Sequence, residues 1–132
     1  MTSAHFTDKE LACPCCGVNY CVDKLVNALE ALRTAIGLPI QIDSGYRCAS
    51  HNKAVGGEAN SQHVLGMAAD IRVTGLKPAD IYREARKIPA FGGFGVAANF
   101  VHVDVRTTVA KWTYGPDHKQ RPWTPELDKV AV

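Results

Sequence analysis

Three polar side chains lie in or beside segments that otherwise look apolar, and they restrict the fold more than any other feature of this sequence. His63 and Asp70 lie seven positions apart, and Asp70 falls in the alternating run Ala69–Val73. His102 falls in a second alternating run, Phe100–Val105. Polar groups in buried strands are costly unless something pairs with them, and a metal ion is one such partner. We therefore expect a fold that brings these three side chains together.

Two imidazoles and one carboxylate are a ligand set for a divalent metal, made here by His63, Asp70 and His102. Such a set leaves one coordination position open for water, as in catalytic zinc sites. Gly66 allows a tight backbone path between the first two ligands. The same ligand types occur in non-haem iron oxygenases, although those keep the first histidine and the acid closer together, in a barrel of many strands. A third interpretation makes His63 a surface loop residue and His102 a hydrogen-bonded core histidine.

Further residues around these ligands form a pattern that carries a resemblance. The pattern consists of Ser44-Gly45-Tyr46-Arg47, His51-Asn52, Val55-Gly56-Gly57, Ser61-x-His63-x-x-Gly66-x-Ala68-Ala69-Asp70 and Val101-His102-Val103-Asp104. It resembles the M15 metallopeptidases, in particular the short phage and prophage branch of the D-Ala-D-Ala carboxypeptidase group. The resemblance extends from His5 to Trp112, and the Ser-x-His-x-x-Gly-x-Ala-x-Asp element together with Ser-Gly-Tyr-Arg is its specific part.

The resemblance implies a cofactor, a substrate and roles for particular residues. It implies Zn²⁺ held by His63, Asp70 and His102, and substrate binding by Arg47 and Ser61. The arginine guanidinium suits a bidentate grip on a carboxylate. The implied partner is a peptidoglycan stem peptide, cleaved by a D-Ala-D-Ala carboxypeptidase or by a stem-peptide endopeptidase.

One position departs from the pattern of the family. Better-known members carry an acidic base three residues before the last histidine ligand, where this chain has Asn99. An amide cannot accept a proton and hand it on, so Asp104 becomes the candidate catalytic base, since it shares a strand face with His102. Asp104 has an alternative role, a hydrogen bond that orients His102. A non-catalytic, zinc-stabilised cell-wall-binding module is the alternative function.

Composition and charge narrow the remaining classes of protein. A chain of 132 residues is typical of a single domain, here residues 1–132, and 46% hydrophobic residues fit a globular fold. A formal charge of +2 gives no reason to expect a nucleic-acid partner, and no run is apolar enough for a membrane span. The N-terminus lacks a basic segment followed by an apolar stretch. We expect a monomer synthesised in the cytoplasm without its own signal peptide, acting on the cell wall if a phage or prophage system releases it.

Five cysteines give an odd count, and four of them crowd into one short segment. They are Cys13, Cys15, Cys16, Cys21 and Cys48. Such a group can hold a metal, form disulfides or pack as reduced thiols among apolar side chains. We predict reduced structural cysteines and no second zinc ion.

The periodicity of apolar residues predicts α+β architecture, with a small central antiparallel sheet that carries the metal ligands and is flanked by helices. This prediction is similar to the hedgehog and D-Ala-D-Ala-peptidase fold that the resemblance implies. Thr7 and Glu10 form a capping-box pattern, and a helix is expected to end before Gly37. The predicted elements are a helix over 21–36, a strand over 39–43, a short helix after Cys48, a strand over 69–73, a helix over 77–87, strands over 91–96 and 100–105, and a proline-rich tail from Lys111 that wraps the surface.

Overall fold

The protein, described here by a computed structural model covering residues 3–58 and 61–129, has the predicted α+β architecture. Helices flank a sheet of six strands in the order β1-β2-β4-β3-β5-β6. The strands are β1 (Gln41–Ser44), β2 (Ala68–Arg72), β3 (Gly93–Val96), β4 (Val101–Asp104), β5 (Ala110–Tyr114) and β6 (Gln120–Arg121). The helices are α1 (Asp8–Leu11), α2 (Asp23–Ile36), α3 (Ala49–Ala54) and α4 (Pro78–Ala85), followed by a 3₁₀ turn, Pro125–Asp128.

Helix α2 supplies much of the core because its apolar residues recur on one face. Leu25, Leu29 and Leu32 have no exposed surface. The helix ends where predicted, at Gly37, whose left-handed backbone (φ 76°) lets its N–H donate to the carbonyl of Arg33. The capping box predicted at the start of α1 is also confirmed. None of the helices in the described ranges has the length and apolar character needed to cross a bilayer.

The four strands β1, β2, β4 and β3 pair antiparallel, as predicted. Strands β3 and β4 form the expected hairpin, with its turn near Ala98 and Asn99. The sheet as a whole is mixed, however, because β5 pairs parallel with β3. After β4 the chain passes the N-terminal end of β3 and pairs with the edge of β3 that faces away from β4. Strand β5 therefore runs in the same direction as β3.

The predicted course of the C-terminal segment is wrong in part. Residues after Ala110 do not simply wrap the surface, because they add β5 and β6 to the sheet. Trp112 in β5 is 8% exposed. The 3₁₀ turn then packs against α4, where the Trp123 ring lies 4.9 Å from that of Tyr82. The prolines of this segment lie between β5 and β6, directly after β6, and at the start of the 3₁₀ turn.

Candidate metal centre

The sheet brings the three predicted metal ligands together. Asp70 in β2 and His102 in β4 are directly paired across neighbouring strands, and His63 lies in the turn that leads into β2. One ligand atom from each residue lies within 4.8 Å of the others. Gly66 ends the turn with φ 70° and passes so close to the backbone of Tyr20 that a side chain would not fit. The tight path expected at this glycine is therefore present.

The hydrogen bonds of each imidazole fix which ring nitrogen faces Asp70. The carbonyl of Gly45 can only accept, so Nδ1 of His63, 2.8 Å away, donates to it. Nε2 of His102 lies 2.8 Å from Oδ2 of Asp104, a carboxylate that likewise accepts. His63 Nε2 and His102 Nδ1 are left facing the same oxygen, Oδ1 of Asp70, at 3.1 and 3.2 Å. Anchoring the outer nitrogen in this way is typical of metal-binding histidines.

A cation would stabilise the contact between His63 and Asp70. Burial lowers the pKa of His63 and outweighs the attraction of Asp70, so its imidazole favours the neutral form. The lone pair on His63 Nε2 then points at a carboxylate oxygen 3.1 Å away, which is repulsive without a cation between them. Two imidazole nitrogens and a carboxylate oxygen are ligands that suit zinc. The residues therefore fit the predicted ion.

Asp70 is held from its other side by Arg47. The guanidinium Nη2 donates to Asp70 Oδ2 at 3.1 Å, Nη1 donates to Asn52 Oδ1, and Nε donates to Ser44 Oγ. Burial acts to raise the pKa of Asp70, but its interactions with His63 and His102, hydrogen bonds among them, hold that pKa well below its usual range. Asp70 is thus a carboxylate at any pH near neutral, as metal binding requires.

Asp104 lies on the far side of the His102 ring from Asp70. It has no exposed surface, and its oxygens accept from the Arg106 guanidinium at 2.7 and 2.8 Å as well as facing His102. Burial acts to raise the pKa of Asp104, but the hydrogen bonds from His102 and Arg106 hold it below its usual range. A buried carboxylate with these contacts is typical of groups that orient a metal-binding histidine, the alternative role considered for Asp104.

Comparison with known proteins supports the same interpretation as the geometry, a metal site of a peptidase. The model of the family described as Peptidase M15 matches residues 4–104 of the 132-residue chain, a range that holds all three ligands. The chain belongs to the peptidase M15 family. It is also similar to the zinc D-Ala-D-Ala carboxypeptidase of Streptomyces albus G, at 46% identity over 44 residues. That match covers 33% of this chain and 17% of the relative, so the chain spans only a small part of that protein's length.

The candidate metal centre of this M15 family member lies in a cleft of about 1060 Å³. Aromatic side chains of β5 form one wall: the Trp112 ring lies 5.1 Å from that of His102, and Tyr114 lies beside Trp112. Arg106 lies over the Trp112 ring at 5.1 Å. Sequence analysis missed these residues, although Ala110, Trp112 and Tyr114 alternate in a way that suggests a strand with an aromatic face.

Two other residues singled out from the sequence have clear positions in this M15 fold. Ser61 lines the cleft, and its hydroxyl oxygen accepts from the backbone N–H of His63, so it also holds the ligand turn. Asn99 is exposed in the turn between β3 and β4 and lines a separate groove with Arg72 and Lys77. The residue three positions before the last histidine ligand therefore lies outside the cleft that contains the metal centre.

Proposed function

We propose that this protein is a zinc-dependent peptidase that cleaves peptidoglycan stem peptides. The observation that carries the proposal is the pair of imidazole nitrogens that face one carboxylate oxygen of Asp70 at the base of a large cleft. The name of the Streptomyces relative supports the same substrate class, because it describes a zinc enzyme that acts on D-Ala-D-Ala. The bond cleaved is either the terminal D-Ala-D-Ala bond or one within the stem.

The chain's own residues set up the site for this chemistry. A zinc ion bound there would polarise the scissile carbonyl and lower the pKa of a bound water from 15.7 to about 7. Gly45 and Asp104 hold the two imidazoles in the required tautomers. Arg47 orients Asp70, and of its five N–H groups three are engaged, which leaves two for the carboxylate of a substrate.

Three described carboxylates are candidates for the proton acceptor. Asp104 remains the candidate from the sequence, but both of its oxygens are engaged by Arg106 and His102. Glu58 and Asp117 are the other described carboxylates, besides Asp70, that line the cleft. Asp117 is paired with Arg121 at 2.9 Å, whereas the side chain of Glu58 is exposed. Amide variants of Glu58 and Asp117 are therefore the natural comparison for Asp104→Asn.

A non-catalytic module that binds the cell wall is the second candidate function. The observation that favours it is the position of Asn99, the residue found where better-known family members carry the acidic base. Asn99 lies outside the cleft, so this position supplies no proton acceptor there. In that case the zinc ion would stabilise the fold, and the cleft would bind stem peptides without cleaving them.

Purified cell-wall sacculi distinguish the two candidates. The zinc-loaded protein is incubated with sacculi, with and without a chelator, and released fragments are identified by mass spectrometry. We expect the protein to release D-Ala or stem-peptide fragments, and His63→Ala and the chelator to abolish release. Zinc-loaded protein that sediments with sacculi but releases nothing would support the binding module instead.

A further inference from the structure

Four of the five cysteine sulfurs meet at one point, away from the metal centre described above. Cys13, Cys15 and Cys16 come from the segment after α1, and Cys48 precedes α3. Their sulfur atoms all lie within 4.8 Å of one another. We propose that these four thiols bind a second zinc ion, whose role is structural.

The distances suit a single tetrahedral ion. A zinc–sulfur bond of about 2.3 Å places the sulfurs of a tetrahedral site roughly 3.8 Å apart. The Cys13 sulfur lies 3.5 Å from that of Cys15 and 3.7 Å from that of Cys48, and the Cys15 and Cys48 sulfurs are 3.1 Å apart. Small outward shifts of these side chains would accommodate the ion. Four thiolates fill the coordination shell, which distinguishes a structural zinc site from a catalytic one.

The backbone around Cys13 is folded as a metal-binding turn requires. Cys13 and Cys16 are separated by two residues, a spacing typical of structural zinc ligands, and Gly17 follows with φ 73°. The turn is closed by two hydrogen bonds of 2.8 Å, from Gly17 N–H to the carbonyl of Cys13 and from Cys13 N–H to the carbonyl of Val18. Within this turn the thiols of Cys13, Cys15 and Cys16 approach the same point.

Backbone N–H groups also point at the sulfurs. The N–H of Cys48 donates to the Cys13 sulfur, and the N–H of His51, in the first turn of α3, donates to the Cys48 sulfur, both at 3.4 Å. Such donors favour the thiolate form that zinc binds, and orient the ligands around the ion.

Reduced cysteines packed as small apolar side chains, the arrangement expected from the sequence, do not account for this cluster. Cys13 is buried, but Cys15 and Cys16 are exposed and Cys48 is only partly buried. Exposed thiols gain little from packing against apolar residues. Cys21, by contrast, is partly buried against the core and lies outside the cluster, so it fits the expected role. A single disulfide would pair two of the four thiols and leave the other two without a partner.

The second zinc ion would join the N-terminal segment to the loop that shapes the catalytic cleft. Cys48 directly follows Arg47, and the N–H of Tyr46 donates to the carbonyl of Leu11 at 2.9 Å. Gly45, whose carbonyl holds His63, packs so closely against Leu11 that a Cβ would overlap its backbone. A structural ion here would fix the loop from which Arg47 and the Gly45 carbonyl act. Its presence does not depend on the proposed peptidase function.

Metal analysis of purified protein tests the proposal. We expect about two zinc ions per chain in the natural protein. One should be lost in the double variant Cys15→Ser, Cys16→Ser, while Cys21→Ser, the matched control, should keep both. Cys16→His, which replaces one zinc ligand with another, should retain the second ion. His63→Ala combined with His102→Ala should remove only the other ion, so failure of the peptidase proposal would leave this result unchanged.

Cobalt substitution and thiol counting keep the test decisive if a serine variant folds poorly. Cobalt(II) in the natural protein should give thiolate-to-metal charge-transfer absorption that Cys21→Ser retains, since sulfur ligands come from the cluster. Thiol titration of the unfolded, chelated chain should find all five cysteines of the sequence reduced. One zinc ion per chain with no cobalt–thiolate absorption would overturn the proposal, and so would a missing pair of thiols, which would indicate a disulfide.

Discussion

His102 is held between two carboxylates, and the two have different partners. Asp70 faces the metal centre, whereas Asp104 is fully buried behind the ring and bonded to Arg106. We predict that Asp104→Asn weakens zinc binding by about 10–100-fold, because the amide no longer fixes the His102 tautomer as a carboxylate does. Zinc affinity is measured by competition with a chromophoric chelator, and peptidase activity should return in excess zinc.

The same variant tests the alternative role of Asp104. If Asp104 were the base, Asp104→Asn would keep its zinc and lose at least ~10²-fold in turnover, whatever the zinc concentration. Glu58→Gln and Asp117→Asn are the comparison, since both carboxylates line the cleft. A large loss of turnover at full zinc occupancy in one of them would identify the proton acceptor.

Arg47 gives a second prediction at the scale of the residue. Lysine keeps the positive charge but loses the planar fork that now bonds Ser44, Asn52 and Asp70. For peptides that end in a free carboxylate, Arg47→Lys should raise KM by about tenfold, since a charged hydrogen bond contributes ~1.5–3 kcal/mol. Amidated peptides should show no such change at saturating zinc. Arg121→Lys, at another position lining the cleft, is the control, and an unchanged KM for the acid peptides would remove Arg47 from substrate binding.

The meeting of the three candidate ligands was predictable because each lies in or beside a segment with a clear local pattern. His63, Asp70 and His102 fall in or beside alternating runs, and antiparallel pairing of those runs brings Asp70 opposite His102. The residues that surround these ligands were harder to predict from the sequence. Trp112 reaches the centre only because the chain crosses the N-terminal end of β3 before β5 begins, and no local pattern encodes that crossing. Arg106 lies only two positions from Asp104, so its contact with that carboxylate is local.

At the scale of the element, glycines in β3 make room for side chains from neighbouring strands. A Cβ on Gly93 would overlap the Asp104 carboxylate, and one on Gly95 would overlap the Trp112 ring. Alanine normally stabilises a strand relative to glycine by roughly 0.5–1 kcal/mol. We predict that Gly93→Ala instead lowers stability and weakens zinc binding, because it displaces Asp104 from His102.

Thermal unfolding and zinc competition measure this prediction on the same samples. Gln41→Ala, at an exposed position of the edge strand β1, controls for replacing a strand residue with alanine. A Gly93→Ala protein with natural zinc affinity would mean that Asp104 does not brace the metal ligand.

The C-terminal 3₁₀ turn is attached to α4 through Asp128. Its carboxylate accepts from the Tyr82 hydroxyl and from Trp123 Nε1 at 2.8 Å, and Lys111 and Arg86 lie 3.3 Å away. The hydrogen bond from Tyr82 is the main cause that lowers the pKa of Asp128 to about 2. Asp128→Asn should therefore cost about 1 kcal/mol of unfolding free energy at neutral pH, a modest value because the group is partly exposed.

The pH dependence of that loss follows from the direction of the shift. The pKa of Asp128 in the folded protein lies below the ~3.9 of an unfolded aspartate, so its stabilisation is complete above about pH 4 and disappears as the pH falls towards 2. Urea unfolding of the natural and Asp128→Asn proteins should show curves that converge across this range. Glu126→Gln, in the same 3₁₀ turn, is the control. A constant difference down to pH 2 would contradict the assignment.

The elements that could be predicted are those with local causes. The stripe of α2, its end at Gly37 and the β3–β4 hairpin all follow from patterns within a few residues. The parallel pairing of β5 with β3 and the meeting of Cys48 with Cys13 both join distant parts of the chain. Whether such distant segments meet depends on the packing of the whole fold, which cannot be predicted from local patterns in one sequence.

At the scale of the whole molecule, the fold provides two candidate metal sites of different character. The His63, Asp70 and His102 centre has three ligands and opens into the cleft, whereas the cysteine cluster has four ligands and lies between the N-terminal segment and α3. The first is suited to catalysis and the second to fixing structure. Only the first should determine peptidase activity directly.

Stepwise return of zinc to chelated protein tests the central claim most directly. Zinc bound per chain and peptide fragments released from purified peptidoglycan are measured together at each step, for the natural protein and for His63→Ala. We predict that release rises in proportion to filling of the His63, Asp70 and His102 centre, and that His63→Ala stays inactive at every zinc concentration. A natural protein whose centre fills with zinc and still releases nothing would contradict the assignment of this chain as a peptidase.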